Sequence, residues 1–566
     1  MRPTALKSIS SKSGFVATLL LAAHGVAFAD SNITLTAAPT TARLPDGQSV
    51  PMWGLLCGTL SGGTFTYAPG SVSGSPAATP CTTLTGGAHD GSWQPPLITV
   101  PSGGSLTITL HNQLNFGTTY HAPTSLVIVG LIGGGLGSAP TRTPSPAHPP
   151  QGTTWPGTLG GTNPGDTVFT PPVQLDRVRS FAAEVAPSAS ASLVWTATNL
   201  RPGTYLIESG THPSIQGPMG LYGIVVVTDA SYPGQSFDKD VPLLLSEIDP
   251  LQNRAVDQAV RTAGFDPAAV WSGQIINSVK QCGHPDVHTC FPPAVNYDPR
   301  YFLVNGVSFD RASASSSLPA VPASPATGNV LLRFVNAGLR MHVPSVVGAD
   351  MTLLAEDGNK LPGVPKVQSA LFLPAGKTSD VVIHPALATA TSTDCSALPC
   401  YAPATYAVFD RALGLSANNQ RDGGMQAYIN VAGGGASGAV GSSASIVAAV
   451  ARPDSYYLVA GNALTVAEMA KGAIANDTGV YGVQLLSGPT GTGSALTLNA
   501  DGTFKYTPGS GVTSDSFSYC ANGTVTGSTC SSGITATVTL AECTSTPDSS
   551  GHVCKGGAPT AVADTF

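Results

Sequence analysis

The stretch GTYLIESGTHPSIQGPMGLYG, from Gly203 to Gly223, contains one strong neutral metal donor, His212. Zinc or copper in a protein normally takes three or four ligands from His, Cys or carboxylate. His212 is the metal-ligand candidate, and it needs partners. Glu208 is near, but strand alternation and the loop between them leave its direction open. His121 precedes Thr124 closely enough to swing toward His212. The competing reading of His212 is a hydrogen-bonded loop histidine. His284 and His288, within CGHPDVHTC, have a spacing that can hold metal on a helix, but Pro285 opposes a regular helix there. His342, after NAGLRM, reads as packed or hydrogen-bonded.

Other chemistries find less footing. Glu184, Glu208 and Glu247 read as isolated carboxylates without an acid/base partner. Asp477, Asp501 and Asp515 are oxygen donors of the kind calcium takes, but no complete loop signature surrounds them. Asp501-Gly502 reads as a hairpin turn. No Ser/His/Asp set, phosphate loop or catalytic carboxylate pair can be placed. The net charge is -7, and the 25 Lys and Arg form no cluster. A nucleic-acid partner is not expected, because phosphate binding needs a basic surface.

The elements that must position these residues are strands. Only 10% of the 566 residues are charged, while Gly (65) and Pro (47) are abundant. That mixture favours strands joined by turns. SLTITL, from Ser105 to Leu110, alternates as a half-buried strand. TSLVIVGLIGG, from Thr124 to Gly134, reads as a strand buried on both faces. GTYLIES and LYGIVVVTD are strands on either side of the His212 loop, which Pro213 and Pro218 stiffen. VPLLLSEID is a strand leading into a short helix, with Asp249 as cap, Pro250 at its first position and Gly264 at its end. YFLVNG, NVLLRFVNAG, MTLLAEDG, SDVVIH and ATYAVFD are further strands. ALTLNADGTFKYTPGSGVTSDSFSYC alternates around its Asp-Gly turn.

Residues 1–29 read as a signal peptide. Arg2, Lys7 and Lys12 precede an apolar run ending in Ala27-Phe28-Ala29, so cleavage before Asp30 and export are expected. No later run is long and apolar enough for a membrane span. The ten cysteines fall as near neighbours: Cys57 and Cys81, Cys282 and Cys290, Cys395 and Cys400, Cys520 and Cys530, Cys543 and Cys554. An even count in an oxidising compartment points to disulfides, with sequential pairing as the hypothesis and thiolate metal sites as the rival. The regions are 30–230, 237–434, a Gly/Ser-rich linker at 435–445, a small all-strand module at 446–542, and 543–566 as a connector and the start of a further repeat. Asp454-Ser455-Tyr456 is echoed by Asp564-Thr565-Phe566, and one strand cannot bury its face alone. The expectation is a piece of a longer chain, the alternative a tail.

RPGTYLIES and HPSIQGPMGLYGIVVV resemble the end of the first cupredoxin domain of multicopper oxidases. DGQSVPMWG and LITVPSGGSLTITLHNQL resemble its opening strands, and PTSLVIVGL its first copper motif. YFLVNG, LLRFVNAG, MTLLAEDG and LPAGKTSDVVI resemble the second domain. The likeness spans roughly residues 40–430. AIANDTGVYGVQLLSGPTGTGSALTLNADGTFKYTPGSG resembles cadherin-like or bacterial immunoglobulin-like repeats. The fold class implied is all-β: two cupredoxin-like β-sandwiches followed by a small immunoglobulin-like β module.

In that family the first domain supplies two His-x-His pairs to a trinuclear copper cluster. By the resemblance, the first pair falls on Val127 and Val129. Anchoring on Gln216 and Gly220-Leu221-Tyr222-Gly223 puts the second on Gly210 and His212. Counting from Gly203-Thr204-Tyr205 puts it on Glu208 and Gly210, with His212 inside an insertion. Either way at least three of the four histidines are replaced, and valine cannot coordinate a metal. The family's His-Cys-His signature for type 1 copper does not occur in this sequence. The expected function is therefore a secreted or cell-surface structural, assembly or binding protein, working with protein partners or copies of itself and without a cofactor. The alternatives are a copper-dependent oxidoreductase, with copper as cofactor, and a weak single-metal binder at His212. Fold likeness alone does not carry activity.

Overall fold

The computed structural model describes residues 29–44, 48–61, 64–73, 79–84, 92–117, 120–137, 140–145, 151–152, 168–169, 175–270, 289–310, 321, 327–389, 398–418, 423–432, 449–458, 461–467, 471–477, 480 and 482–542. The expected signal peptide, the His284/His288 loop, the linker, Cys282, Cys395, Cys543, Cys554 and the terminal echo lie outside them. The chain is all-β, as its composition implies, with strands grouped into three packed units.

The first unit packs two sheets. One runs in the order Ser190–Trp195, Leu106–Asn112, Ser31–Arg43, Ser49–Ser61, Thr64–Tyr67, with Ser71–Val72 on Ser31–Arg43. The other runs Cys81–Thr83, Pro96–Pro101, Tyr222–Thr228, Gly203–Glu208, Val127–Ile128. Leu106, Ile108 and Leu110 all point inward, as the alternation in SLTITL requires. They meet Trp53, Trp195, Tyr205, Ile207 and Val225 in one core. The Trp195 ring sits flat against a glycine turn: a Cβ on Gly133 would lie 2.2 Å from it and one on Gly134 2.6 Å. Only glycine permits that approach.

The second unit has a sheet ordered Tyr301–Val304, Lys239–Ile248, Val330–Asn336, Thr378–Ile383, Met351–Glu356, Asn359–Lys360, with Lys366–Gln368 also on Met351–Glu356. It faces Pro344–Val346, Ala404–Asp410 and Gln426–Val431 across a core that includes Leu243, Phe334, Val381 and Ile429. Its helix, Pro250–Val260, begins as expected: Asp249 accepts from the backbone N–H groups of Leu251 and Gln252, and Pro250 follows it.

The first two units share apolar interior. Val256, Ala259 and Val260 of the helix, with Phe265 and Phe291, pack into the core of the first unit. A separate cluster joins Met52, Trp93, Leu206, Tyr222 and Ile224 to Leu244, Tyr301, Leu303 and Val335. At the same seam the Asp380 carboxylate accepts from Thr204 Oγ1 at 2.7 Å and the Tyr232 hydroxyl at 2.5 Å. Arg333, 3% exposed, reaches Thr204, Asp240 and Asp380. Nothing in the hydrophobic periodicity announces that the helix serves the neighbouring unit.

The third unit packs Asp454–Leu458, Thr535–Glu542, Ser514–Ala521 and Val483–Ser487 against Leu464–Val466, Phe504–Thr507 and Ala495–Leu498. Phe504, Tyr506, Phe517 and Tyr519 fill its centre. Asp501-Gly502 forms the expected turn, with Gly502 at φ +79°. Disulfides Cys57–Cys81 and Cys520–Cys530 join sequence neighbours. Cys290 and Cys400 are also disulfide-bonded.

Candidate functional site

The sheet order brings the two motif segments together. Gly203–Glu208 lies between Tyr222–Thr228 and Val127–Ile128, so Glu208 faces Tyr222 on one side and Val127 on the other. The long strand expected over Thr124–Gly134 does not form; only Val127–Ile128 pair as strand. Upstream, Thr124 instead exchanges backbone hydrogen bonds with Val185, and downstream Gly130, at φ +90°, turns the chain away. The loop after Glu208, which the sequence predicts to be stiffened by Pro213 and Pro218, contains a short helix, Pro213–Gln216.

Between these segments lies a buried network of hydroxyl and amide groups, which Thr211 links to the Glu184 carboxylate at 3.3 Å. Gln216 Oε1 accepts from Thr124 at 2.8 Å and Ser209 at 2.7 Å, and Gln216 Nε2 donates to the Pro123 carbonyl at 2.8 Å. Thr211 Oγ1 lies 3.0 Å from Ser125 Oγ and 3.0 Å from Ser180 Oγ, and those two are 3.0 Å apart. All six side chains are fully buried. Buried polar groups are tolerated only when paired, and these are. Replacing Gln216 with Leu removes three hydrogen bonds and takes from the Pro123 carbonyl its side-chain donor, while Thr124 and Ser209 keep only each other at 3.2 Å and the Thr211 backbone. The expected loss is about 1–3 kcal/mol of unfolding free energy in urea titration; an unchanged midpoint contradicts this reading of the network.

His212 sits at the rim of this network. Its backbone is left-handed, at φ +40°, and its N–H donates to the Arg179 carbonyl. Its ring meets Phe291 edge-on, with centroids 5.4 Å apart, and Nε2 is buried without a hydrogen-bond partner. Burial, then the charges of Arg179 and Arg177, lower its pKa to about 4. His212 is therefore neutral near pH 7, in a field that also opposes a metal cation. His121 is exposed, bridged through its backbone to Asn115.

Glu208 has its pKa pushed up to about 7 by burial. A raised carboxylate pKa means that the folded chain binds a proton the unfolded chain releases, so stability falls as pH rises from about 4.5 through about 7. Glu208→Gln is expected to stabilise the protein by about 1–3 kcal/mol at pH 8 and to change little at pH 4. Denaturant titrations at the two pH values check this; equal effects at both contradict it.

Copper, which the resemblance implies, does not fit these residues. Val127 offers no donor, and Val129 packs against the apolar seam between the first two units. Gly210 has no side chain, and a Cβ there would lie 2.9 Å from Val127 Cγ1 and 3.1 Å from Ser125 Oγ. Among the described residues no group of three or more His, Cys, Asp or Glu could hold a metal ion.

A second polar centre went unseen in the sequence. Glu247, read as an isolated carboxylate, contacts His342 Nε2 at 2.9 Å, and Asp410 contacts Nδ1 at 3.0 Å. The pairing joins positions far apart in sequence, and no local spacing signals it. Burial alone would lower the His342 pKa, but its hydrogen bonds to Asp410 and Glu247 raise it to about 9. Both ring nitrogens are engaged, so the imidazolium has no free lone pair for acid/base work. His342 is the hydrogen-bonded histidine that the sequence suggests. Glu184 is likewise paired, with Arg179.

The three third-unit aspartates considered for calcium, Asp477, Asp501 and Asp515, have protein partners. Asp515 accepts from Thr490, Gly491 and the Tyr506 hydroxyl, which with its other hydrogen bonds overcome burial and hold its pKa well below the usual carboxylate range. Asp477 accepts from the Arg452 N–H and the Tyr519 hydroxyl, and Asp501 from Thr503.

No protein-family model matches the chain, and no curated protein matches it. Solved structures do. The blue copper oxidase of Nitrosomonas europaea is 13% identical, with 71% of this chain and 86% of that chain covered and a TM-score of 0.40. Fet3p, a multicopper oxidase that functions in iron import, is 14% identical, with 86% and 64% covered and a TM-score of 0.40. The laccase of Botrytis aclada is 16% identical, with 71% and 52% covered and a TM-score of 0.39. At these identities and TM-scores the likeness says nothing of ligands or activity. Among the described residues no helix is long and apolar enough to cross a membrane.

Proposed function

We propose that the chain is a secreted or cell-surface protein that keeps a multicopper-oxidase-like scaffold without its trinuclear copper site, and serves an assembly or binding role with protein partners or further copies of itself. The observation that carries this reading is the buried network of Thr124, Ser125, Ser180, Ser209, Thr211 and Gln216 between the two motif segments. Copper chemistry needs converging histidines, and the resembling positions are Val127, Val129 and Gly210. The disulfides support an oxidising compartment.

Oxygen uptake tests the enzymatic half. The exported chain, loaded with copper and freed of loose ions, is expected to oxidise neither a phenol nor ferrous iron above the protein-free rate. Sustained uptake that a chelator abolishes overturns the reading. Light scattering in a chelating buffer tests the assembly half: concentration-dependent growth supports self-assembly, whereas a monomer at all concentrations leaves only a heterologous partner. A single-metal reading rests on the unpartnered His212 Nε2, against the charges of Arg177 and Arg179.

A further inference from the structure

We infer that the first strand of the third unit, Asp454–Leu458, is held by one proton shared between the Asp454 and Asp477 carboxyls and is released when that proton leaves. The strand is an edge. Among the described residues it pairs on one side only, in parallel with Thr535–Glu542. Tyr456 and Leu458 point into the core of the unit, and strand alternation sends Asp454 the same way. There its Oδ2 is buried without a hydrogen-bond partner among the described residues.

The groups around it are committed elsewhere. Segment 471–477 lies alongside: Asn476 Nδ2 donates to the Pro453 carbonyl, and Asp477 accepts from the Arg452 N–H and the Tyr519 hydroxyl. The Arg452 guanidinium donates to the Asn476 carbonyl, and the Tyr456 hydroxyl to that of Lys471. The strands behind, Thr535–Glu542 and Ser514–Ala521, contain no Lys, Arg or His. An ionised Asp454 therefore adds a second negative charge beside Asp477. A protonated Asp454 has an O–H to donate, and the Asp477 carboxylate is an acceptor. One proton removes both the repulsion and the unmet hydrogen bond. Burial, then the charge of Asp477, raise the Asp454 pKa to about 7. Burial raises Asp477 as well, so the titration belongs to the pair. The folded strand keeps a proton that the unfolded chain gives up. Its contribution is complete below about pH 3.8 and is lost as pH rises through about 7. A five-residue edge strand is the part of the unit that opens most readily. Its release bares the backbone edge of Thr535–Glu542, a surface that other strands pair with.

Amide hydrogen exchange of the exported chain tests this, in chelating buffer at pH 5 and pH 8.5, corrected for the intrinsic rate at each pH. Opening of the amides in 454–458 is expected to rise at least about tenfold at pH 8.5. That is less than the full shift implies, because Asp454 is partly exposed and water screens it. Amides of Phe504–Thr507, in the opposite sheet, should change little. Asp454→Asn has no proton to lose and should keep the pH 5 protection at both pH values. Asp477→Asn, which removes the repulsion, should move the transition to lower pH, and it serves if the first variant folds poorly. Equal wild-type protection at both pH values overturns the inference. So does a pH dependence that survives Asp454→Asn or stays in place in Asp477→Asn, or an equal loosening of Phe504–Thr507. Excess calcium that restores protection at pH 8.5 in chelator-free buffer also overturns it, since a cation and not a proton is then the missing partner. None of these outcomes touches the proposed loss of the copper site.

Discussion

His342→Ala is expected to lower the unfolding free energy by about 3–5 kcal/mol at pH 7, the cost of breaking a buried charged pair. Glu247 and Asp410 are 2% and 1% exposed, and each directs one carboxylate oxygen at the imidazole. Their other oxygens are held by backbone N–H groups of Arg340, Val343 and Ala412 and cannot turn away. Removing the ring leaves two carboxylates facing one void. The wild-type protein should also show an alkaline dependence. The His342 pKa is raised from 6.5 to about 9, so the folded state holds a proton that the unfolded state loses. The stabilisation is complete below about pH 6.5 and disappears as pH rises through about 9, a span worth about 3 kcal/mol. Urea titrations from pH 6 to pH 9.5 check both parts. The alanine variant should lack this dependence; a variant as stable as wild type, or one that keeps the slope, contradicts the arrangement.

The seam between the first two units gives the second large effect. Asp380 is 2% exposed and Arg333 3%. Asp380→Ala takes the acceptor from Thr204 and Tyr232 and leaves Arg333 with Asp240, whose side chain is 37% exposed. The expected loss is again about 3–5 kcal/mol. Thr204→Val, which removes one hydroxyl from the same group, should cost about 1–2 kcal/mol. Because helix residues Val256, Ala259 and Val260 lie in the core of the first unit, the loss should appear in the unfolding of both units together. Calorimetry of the exported chain checks this. A variant that melts the second unit alone and leaves the first unchanged contradicts the shared interior.

Much of this fold is legible locally. SLTITL alternates, and Leu106, Ile108 and Leu110 are buried. Asp249-Pro250 opens a helix because a carboxylate and a proline suit the first turn. Cys57 and Cys81, and Cys520 and Cys530, pair as neighbours. The misses share a physical cause. Thr124–Gly134 is as apolar as a buried strand, but its paths are set by Val185 upstream and the turn at Gly130 downstream. Glu247 and Asp410 come from the ends of two strands and His342 from the segment just before Pro344–Val346, and they meet only once the sheets stack. The hydroxyl network is invisible for a similar reason: serine and threonine are common in strands and loops alike, and only burial distinguishes these five. At His212 the sequence identifies the residue but not its setting, because Arg177 and Phe291 reach it from elsewhere.

The central claim is that the segments around His212 hold each other rather than a copper cluster. Metal content per chain tests it most directly, by elemental analysis of the exported protein after exposure to copper and removal of loosely bound ions. The expected result is no stoichiometric copper in the wild-type chain and none in Gln216→Leu. A stoichiometric multi-copper complement that survives chelation contradicts the account.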